Sequence, residues 1–368
     1  MQTKQREIKK KPVSQKTGQK KKIQRKQILV GVGGAILSLL VIAIAAFFIL
    51  RVLGKNSLEH VVAGEMVELE TTETADNLEE GQISYNGQVY AYNQDIMTFL
   101  VMGIDHEGEV RQAADGLDGG QADAIFLVVM NPHNKTVSII TVNRNTMAPV
   151  DVYDEDGVYM GQYVKQITLQ HGYGDGKELS CERTVTAVSR LFHNLPINGY
   201  VAINMDAIPA LNDAVGGVPV TVLDDIVYPE YDMNFHAGDE VVLTGEEAYW
   251  YVRLRNENVF DSNTLRQNRQ KQFLTTFAAM AKEQATSDIR VAINLYQTIT
   301  EYMVTDIDIN RFTYLATEAL GYEFNIEQLY TVEGETLMGE RYEEYYIDES
   351  ALEQLIIELF YEPIEESR

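Results

Sequence analysis

From Ile28 to Leu50 the chain runs 23 residues without a charged side chain. As a helix rising 1.5 Å per residue, that stretch spans about 35 Å, enough to cross the hydrocarbon core of a bilayer. A single transmembrane helix is therefore expected over residues 28–51; the apolar core of a cleaved signal peptide is shorter, about 7 to 15 residues. The rest of the chain must then fold on one side of a membrane, and the charges indicate which. The first 27 residues carry eleven Lys or Arg against one acid, Glu7, a net +10; the formal charge of all 368 residues is −25, so the other 341 hold −35. Basic residues mark the cytoplasmic flank of a membrane helix. Residues 1–27 are expected to be a cytoplasmic tail, and the sequence after Arg51 to be extracytoplasmic.

Residues 52–82, which include ELETTETADNLEEG, are acidic, poor in aromatics and without periodicity, and read as a linker below a folded domain at 83–368. Cys181 is the only cysteine, so packing rather than a disulfide must hold that domain. Set in an apolar helical pattern, it reads as a buried, inert thiol. A hydrophobic content of 45% supplies enough apolar surface for a core. The acidity argues against nucleic acid as a partner, because phosphate backbones are gripped by broad basic surfaces.

The segment ISYNGQVYAYN signals a hairpin turning at Asn86-Gly87. IMTFLVMG (96–103), AIFLVVMN (124–131) and TVSIITVN (136–143) are short apolar runs rich in β-branched residues, as central strands covered on both faces require. The short NPHNK turn makes the last two antiparallel. Helical patterns fall at 179–194, 206–214, 263–284, 288–303 and 349–360, with strands YVAINM and VPVTVL between the earlier ones and a strand pair in YTVEGETLMGERYEEYYID. This alternation predicts an α/β domain, a three-layer α/β/α sandwich with a mixed central sheet.

The stretch YVRLRNENVFDSNTLRQNRQ places Arg253, Arg255, Arg266 and Arg269 within seventeen positions of this acidic chain. On a helix over 263–284, Arg266, Arg269, Gln270, Phe273 and Phe277 share one face. Arg253 and Arg255 alternate around Leu254 and would share a face on an extended segment. Arginines in a first helical turn oppose the macrodipole unless an anion sits there. Spacing alone leaves two readings: arginines paired with nearby carboxylates, or a clamp for a pyrophosphate, which guanidinium groups grip with paired hydrogen bonds. Asp105 comes just after the strand ending VMGI and Asp123 precedes AIFLVV. Both would stand at strand ends, where they could hold Mg²⁺ or serve as turn formers. His171, in QHGYGDG, reads as a loop residue with a surface or structural role, and Gly216-Gly217 as a helix C-cap.

Taken in order, FLVMGID, ADAIFLVVMNPHNKTVSIITVNRNT, YVAINMDAIPALNDAVGGVPV, and LTGEEAYWYVRLR with DSNTLRQNRQ after it are similar to the LytR-CpsA-Psr family of membrane-anchored cell-wall enzymes. The likeness covers about residues 96–283, with 285–368 as a C-terminal extension, and is nearest a clostridial-type variant with Asn143-Arg144 where most members have Pro-Arg. The resemblance implies a phosphotransferase that moves an anionic glycan, of teichoic-acid or capsule type, from a polyprenyl pyrophosphate carrier to peptidoglycan. It implies Asp105 and Asp123 as ligands of Mg²⁺ or Mn²⁺. It implies that Arg144, Arg253, Arg255, Arg266 and Arg269 grip the pyrophosphate, that Asp261 orients the arginines, and that Gln270 adds a polar contact. Two departures stand out: Gln121-Ala122-Asp123 where members commonly have Arg-Ser-Asp, and Arg144-Asn145-Thr146 where they have Arg-Asp-Thr. Asn145 accepts hydrogen bonds but cannot act as an anionic base or metal ligand. Two alternatives therefore stay open: a non-catalytic envelope protein that binds polyprenyl phosphate or wall polymer, and a pyrophosphatase on the lipid carrier.

Overall fold

A computed structural model describes residues 55, 78–79 and 81–364, apart from 107, 109, 114–118, 257–258 and 324–328. The expected membrane span at 28–51 and most of the linker lie outside the described residues, among which no helix is long and apolar enough to cross a membrane.

The described domain opens with the expected hairpin, β1 (Gln82–Tyr85) and β2 (Gln88–Tyr92). Its turn residues Asn86 and Gly87 take φ of 52° and 76°, the left-handed pair that a two-residue turn between twisted strands needs. The three apolar runs become β3 (Met97–Ile104), β4 (Ala122–Asn131) and β5 (Thr136–Val142), each antiparallel to the next. A hairpin not anticipated from the sequence comes next, β6 (Met147–Tyr153) and β7 (Tyr159–Gln166). Its second strand is exposed on both faces and so lacks the alternation that would reveal it.

After α1 (Leu169–Gly172) and α2 (Glu178–Leu191), β8 (Gly199–Asn204) returns parallel to β3. Then come α3 (Ala207–Ala214), β9 (Val218–Thr221), β10 (Ile226–Tyr228), β11 (Met233–Phe235), β12 (Glu240–Leu243), α4 (Gly245–Arg253) and α5 (Ser262–Ser287). Gly216 and Gly217, at φ of 89° and 91°, end α3 as expected. Arg253 closes a helix rather than lying on an extended segment. The alternation around Leu254 imitates a strand, yet Thr244 and Glu247 form a complete capping box that starts α4. The pattern at 288–303 yields a shorter α6 (Arg290–Thr298), then β13 (Met303–Thr305) and an unforeseen α7 (Ile309–Leu320), capped by Asp308. β14 (Leu329–Thr331), the hairpin β15 (Gly334–Met338) and β16 (Glu343–Ile347), α8 (Glu349–Phe360) and β17 (Tyr361–Pro363) complete the described fold.

Six strands in the order β13-β8-β3-β4-β5-β14 form the central sheet. β8 runs parallel to β3 and β14 to β5, and the other neighbours are antiparallel, so the sheet is mixed as expected. The residues after 285 are integral to it, because β13 and β14 are its two edges and β17 extends the β1–β2 hairpin.

Helices cover both faces. On one, the fully buried Leu100, Met102, Leu127 and Ile140 meet Val188 of α2 and Leu352, Ile356 and Phe360 of α8 in one continuous core that includes Cys181. On the other, the buried apolar residues separate into clusters: one under α7 at Met97 and Phe99, one at Ala124, Phe126 and Ile139 against Leu274 of α5, and one around α3, α4 and Phe273 of α5. The central-strand residues Val101, Val128 and Val201, which pack against these clusters, and Ile203 are only partly buried.

Candidate active site

The two predicted metal-site aspartates come from adjoining strand ends. Asp105 stands just past β3, and its N–H donates to Gln121 O at 3.0 Å just before β4. Gly120 allows this close return: its φ is 74°, and a Cβ there would lie 2.9 Å from Ile104 Cγ2. Gly103 pairs with Ala124 but Ile104 pairs with Ala122, so the register skips Asp123. That bulge re-aims the residue. Strict alternation would send Asp123 with Ile125 and Leu127 into the closed apolar core, whereas the bulge turns its carboxylate toward guanidinium groups.

Arg144, in the β5–β6 connection, puts Nη1 2.5 Å from Asp123 Oδ1 and donates from Nη2 to Gln121 Oε1 at 2.5 Å. Gln121 thus supports an arginine. Arg266, on the first turns of α5, donates from Nη1 to Asp123 Oδ2 at 3.2 Å. Both Arg266 and Asp123 are buried, and burial pushes the Arg266 guanidinium down to about 10 despite the attraction of Asp123. It stays protonated at neutral pH. The charges of Arg144 and Arg255 add to the depression, which places both near it. Arg253, the last residue of α4, reaches Asp105 Oδ1 at 3.3 Å.

The other predicted residues have different work. Arg269 is almost fully buried and donates to the carbonyls of Tyr251 (2.6 Å) and Leu254, with Nε 3.2 Å from Asp224 Oδ1. Gln270 donates to Val252 O at 3.1 Å. These three carbonyls belong to the end of α4 and its C-cap, so Arg269 and Gln270 act as a side-chain cap. They position Arg253 and Arg255 rather than join the clamp. Asp261 does not orient the arginines either. It adopts a left-handed φ of 59°, its N–H donates to Glu343 Oε1 (2.8 Å), and its carboxylate accepts from Thr264 (2.7 Å) and Thr336 (2.9 Å).

The residue that steadies Arg266 is Asn263, which the sequence motifs do not single out. Its Oδ1 accepts from Arg266 Nη2 at 2.9 Å and its Nδ2 donates to Asn143 Oδ1 at 3.0 Å. The i, i+3 spacing to Arg266 is the signal in the sequence that points to it. Asn145 is buried, accepts from Gln166 Nε2 (3.3 Å) and donates its N–H to Asn143 Oδ1 (2.9 Å), which makes it part of the turn that carries Arg144. His171 is buried in α1, not exposed on a loop; its Nδ1 lies 3.1 Å from Gly120 O, and burial lowers its pKa.

Asp105, Gln121 and Arg144 open onto a cleft of about 570 Å³ bounded by Gly120, Leu169 and Tyr173. Arg144, Arg253, Arg255 and Arg266 against Asp105 and Asp123 leave a formal +2 among these six residues. A disubstituted pyrophosphate carries about −2 and would balance it. Among the described residues no three of His, Cys, Asp and Glu gather as a metal group. Asp123 Oδ1 is buried and ion-paired with Arg144. Asp105 and Asp123 supply the hard oxygen donors that a divalent cation would use beside water and phosphate.

Comparison with known proteins agrees with this architecture. Residues 61–360 match the LytR_cpsA_psr family. A polyisoprenyl-teichoic acid–peptidoglycan teichoic acid transferase, TagU, of Halalkalibacterium halodurans is 26% identical over 237 residues, 64% of this chain and 69% of that one. The transferase of the same name from Enterococcus faecalis is 29% identical over 55% of this chain and 58% of its own length. Among solved structures, protein gbs0355 of Streptococcus agalactiae superposes with a TM-score of 0.57 at 21% identity, covering 72% of this chain and 86% of that one. TagV of B. subtilis gives 0.55 at 24%, covering 72% and 95%. TagT bound to LIIa-WTA gives 0.53 at 20%, covering 72% and 89%. Identities this low show a shared fold.

Proposed function

Because the chain belongs to the LytR_cpsA_psr family, we propose that it is a membrane-anchored phosphotransferase that moves an anionic wall glycan from a polyprenyl pyrophosphate carrier to peptidoglycan. The observation that carries this reading is the gathering of Arg144 and Arg266 on Asp123 and of Arg253 on Asp105, at strand ends beside an open cleft, in a chain of net charge −25. The names of the TagU relatives support the substrate class. The interrupted core beneath α5 supports the lipid: Val101, Val128, Val201 and Ile203 offer a partly uncovered apolar seam for an isoprenoid chain. The uncharged 28–50 stretch supplies the anchor, placing the domain on the outer surface of the cell membrane.

In the reaction, an acceptor hydroxyl oxygen attacks the phosphorus nearer the glycan. The P–O bond to the second phosphate breaks, polyprenyl phosphate leaves, the new phosphodiester joins glycan to acceptor, and the hydroxyl proton passes to solvent. Arg144 and Arg266, which share Asp123, would hold phosphate oxygens, and Arg253, paired with Asp105, would hold another. Such transfer depends on alignment and charge neutralisation more than on covalent chemistry. Mg²⁺ or Mn²⁺, held by Asp105 and Asp123, would neutralise further charge on the pyrophosphate when bound. Asn263 and Asn143 fix Arg266, and the cap formed by Arg269 and Gln270 fixes the end of α4.

The test is release of polyprenyl phosphate from a polyprenyl pyrophosphate-linked oligosaccharide by the full-length chain in detergent micelles with Mg²⁺, with and without peptidoglycan oligomers. Release that requires the oligomer and is lost in Asp105→Asn is expected. Acceptor-independent release would make water the acceptor and the protein a pyrophosphatase. Lipid binding without release under any divalent metal would leave a carrier-binding protein, the reading that Asn145 favours, since its neutral side chain accepts from Gln166 and cannot act as an anionic base.

A further inference from the structure

The first turns of α5 carry a second stripe, rotated about 160° from the arginine face. Thr264, Gln267, Asn268 and Lys271 recur at i, i+3, i+4 and i+7 and form one wall of a separate cleft of about 280 Å³. Thr336 and Tyr345 from the β15–β16 hairpin form the opposite wall, and Phe260 stands at the rim, 57% exposed.

The groups facing this cleft are mostly hydroxyls, amides and rings. Its one carboxylate, Asp261, already accepts from two threonines, and its one amine, Lys271, donates to Leu329 O at 3.0 Å. The Tyr345 hydroxyl is engaged with Val332 O at 2.8 Å, which leaves its ring as the available surface. Thr141, at the base, has a buried hydroxyl with no hydrogen-bond partner. Neutral donors and acceptors beside an exposed aromatic ring match a saccharide, whose hydroxyls and acetamido group exchange hydrogen bonds while its C–H face packs on the ring. The volume suits one sugar unit rather than a polymer.

Position makes the cleft relevant to transfer. Asn143 lines it and accepts from Asn263, which in turn accepts from Arg266, so two side chains separate the cleft from the guanidinium on Asp123. We propose that this cleft is a subsite for one N-acetylated sugar unit of the acceptor glycan, held across α5 from the pyrophosphate; the acceptor role, though not the sugar binding, rests on the proposed transferase activity.

The probe is chitotetraose, an N-acetylglucosamine tetramer, titrated into the full-length chain in detergent micelles by calorimetry and saturation-transfer NMR. Phe260→Ala and Asn268→Ala alter exposed side chains and spare the packing. Each is expected to weaken chitotetraose binding about tenfold and to raise the acceptor KM by a similar factor with kcat nearly unchanged. Arg255→Ala, at the phosphate site, is expected to bind chitotetraose like the unmodified chain. Absence of chitotetraose binding, or equal binding by all three variants and the unmodified chain, overturns the subsite. Transfer with an unchanged acceptor KM in both cleft variants overturns it while leaving the transferase standing. Cleft-dependent binding without any transfer retires the transferase and retains the sugar site.

Discussion

The two faces of the central sheet share the same six strands and differ in how they are covered. Beneath α2 and α8, Leu100, Met102, Leu127 and Ile140 have no exposed surface and form one core. Beneath α5 and α7, the alternate residues Val101 and Val128 stay partly exposed and the buried residues fall into separate groups. Apolar packing that would stabilise the second face is incomplete, while the first is complete. The contrast separates one face closed by a single continuous core from another closed by several smaller clusters.

That contrast can be broken at single residues. The largest loss is expected at the bulge between the faces: Asp123→Ala removes the carboxylate that the buried Arg266 shares with Arg144 and should lower unfolding stability by about 3–5 kcal/mol in urea titrations. Asp105→Asn removes a half-exposed partner of Arg253 and should change stability by less than about 1 kcal/mol, yet reduce transfer on the order of 10²-fold or more. Asp105 is therefore the cleaner probe of activity. On the closed face, Leu127→Ala should cost about 2–5 kcal/mol. Its neighbour Val128→Ala, on the open face, should cost about 1 kcal/mol or less and weaken polyprenyl pyrophosphate binding. Equal losses at 127 and 128 would erase the distinction between faces.

The smallest expected effect is a pH slope from the closed side. His171 is buried and its pKa lies below the ordinary value, so the unfolded chain binds the proton more readily. Stability should then fall as pH drops below about 6.5, and His171→Gln should flatten that part of the curve.

Much of the fold is legible in the sequence. The runs at 96–103, 124–131 and 136–143 are readable as central strands because length and β-branching leave few other solutions. The arginines and aspartates of the site are likewise visible as residue types. Their division into roles is not. The spacing of Arg266, Arg269 and Gln270 gives a shared helix face, but only the arrival of α4 shows that Arg269 and Gln270 meet its terminal carbonyls while Arg266 meets Asp123. Asp123 itself borders an apolar run in the sequence, and the bulge that turns it emerges only once β3 sets the register. Asp261 resembles an electrostatic partner because it is charged and close in sequence; its left-handed backbone and two threonine donors make it the hinge residue of the α5 entry.

The edges of the central sheet carry a kinetic consequence. β13 and β14 come from residues 303–305 and 329–331, and β17, at 361–363, pairs with β2 at 88–92. The strands that close both sheets are thus among the last of the domain to be synthesised, and their partners precede them by roughly 100 to 270 residues. Contacts that distant make folding slow and leave strand edges open until the end. The domain thus stays incompletely folded until nearly all of it has been made, which leaves its apolar strands dependent on protection until β17 docks.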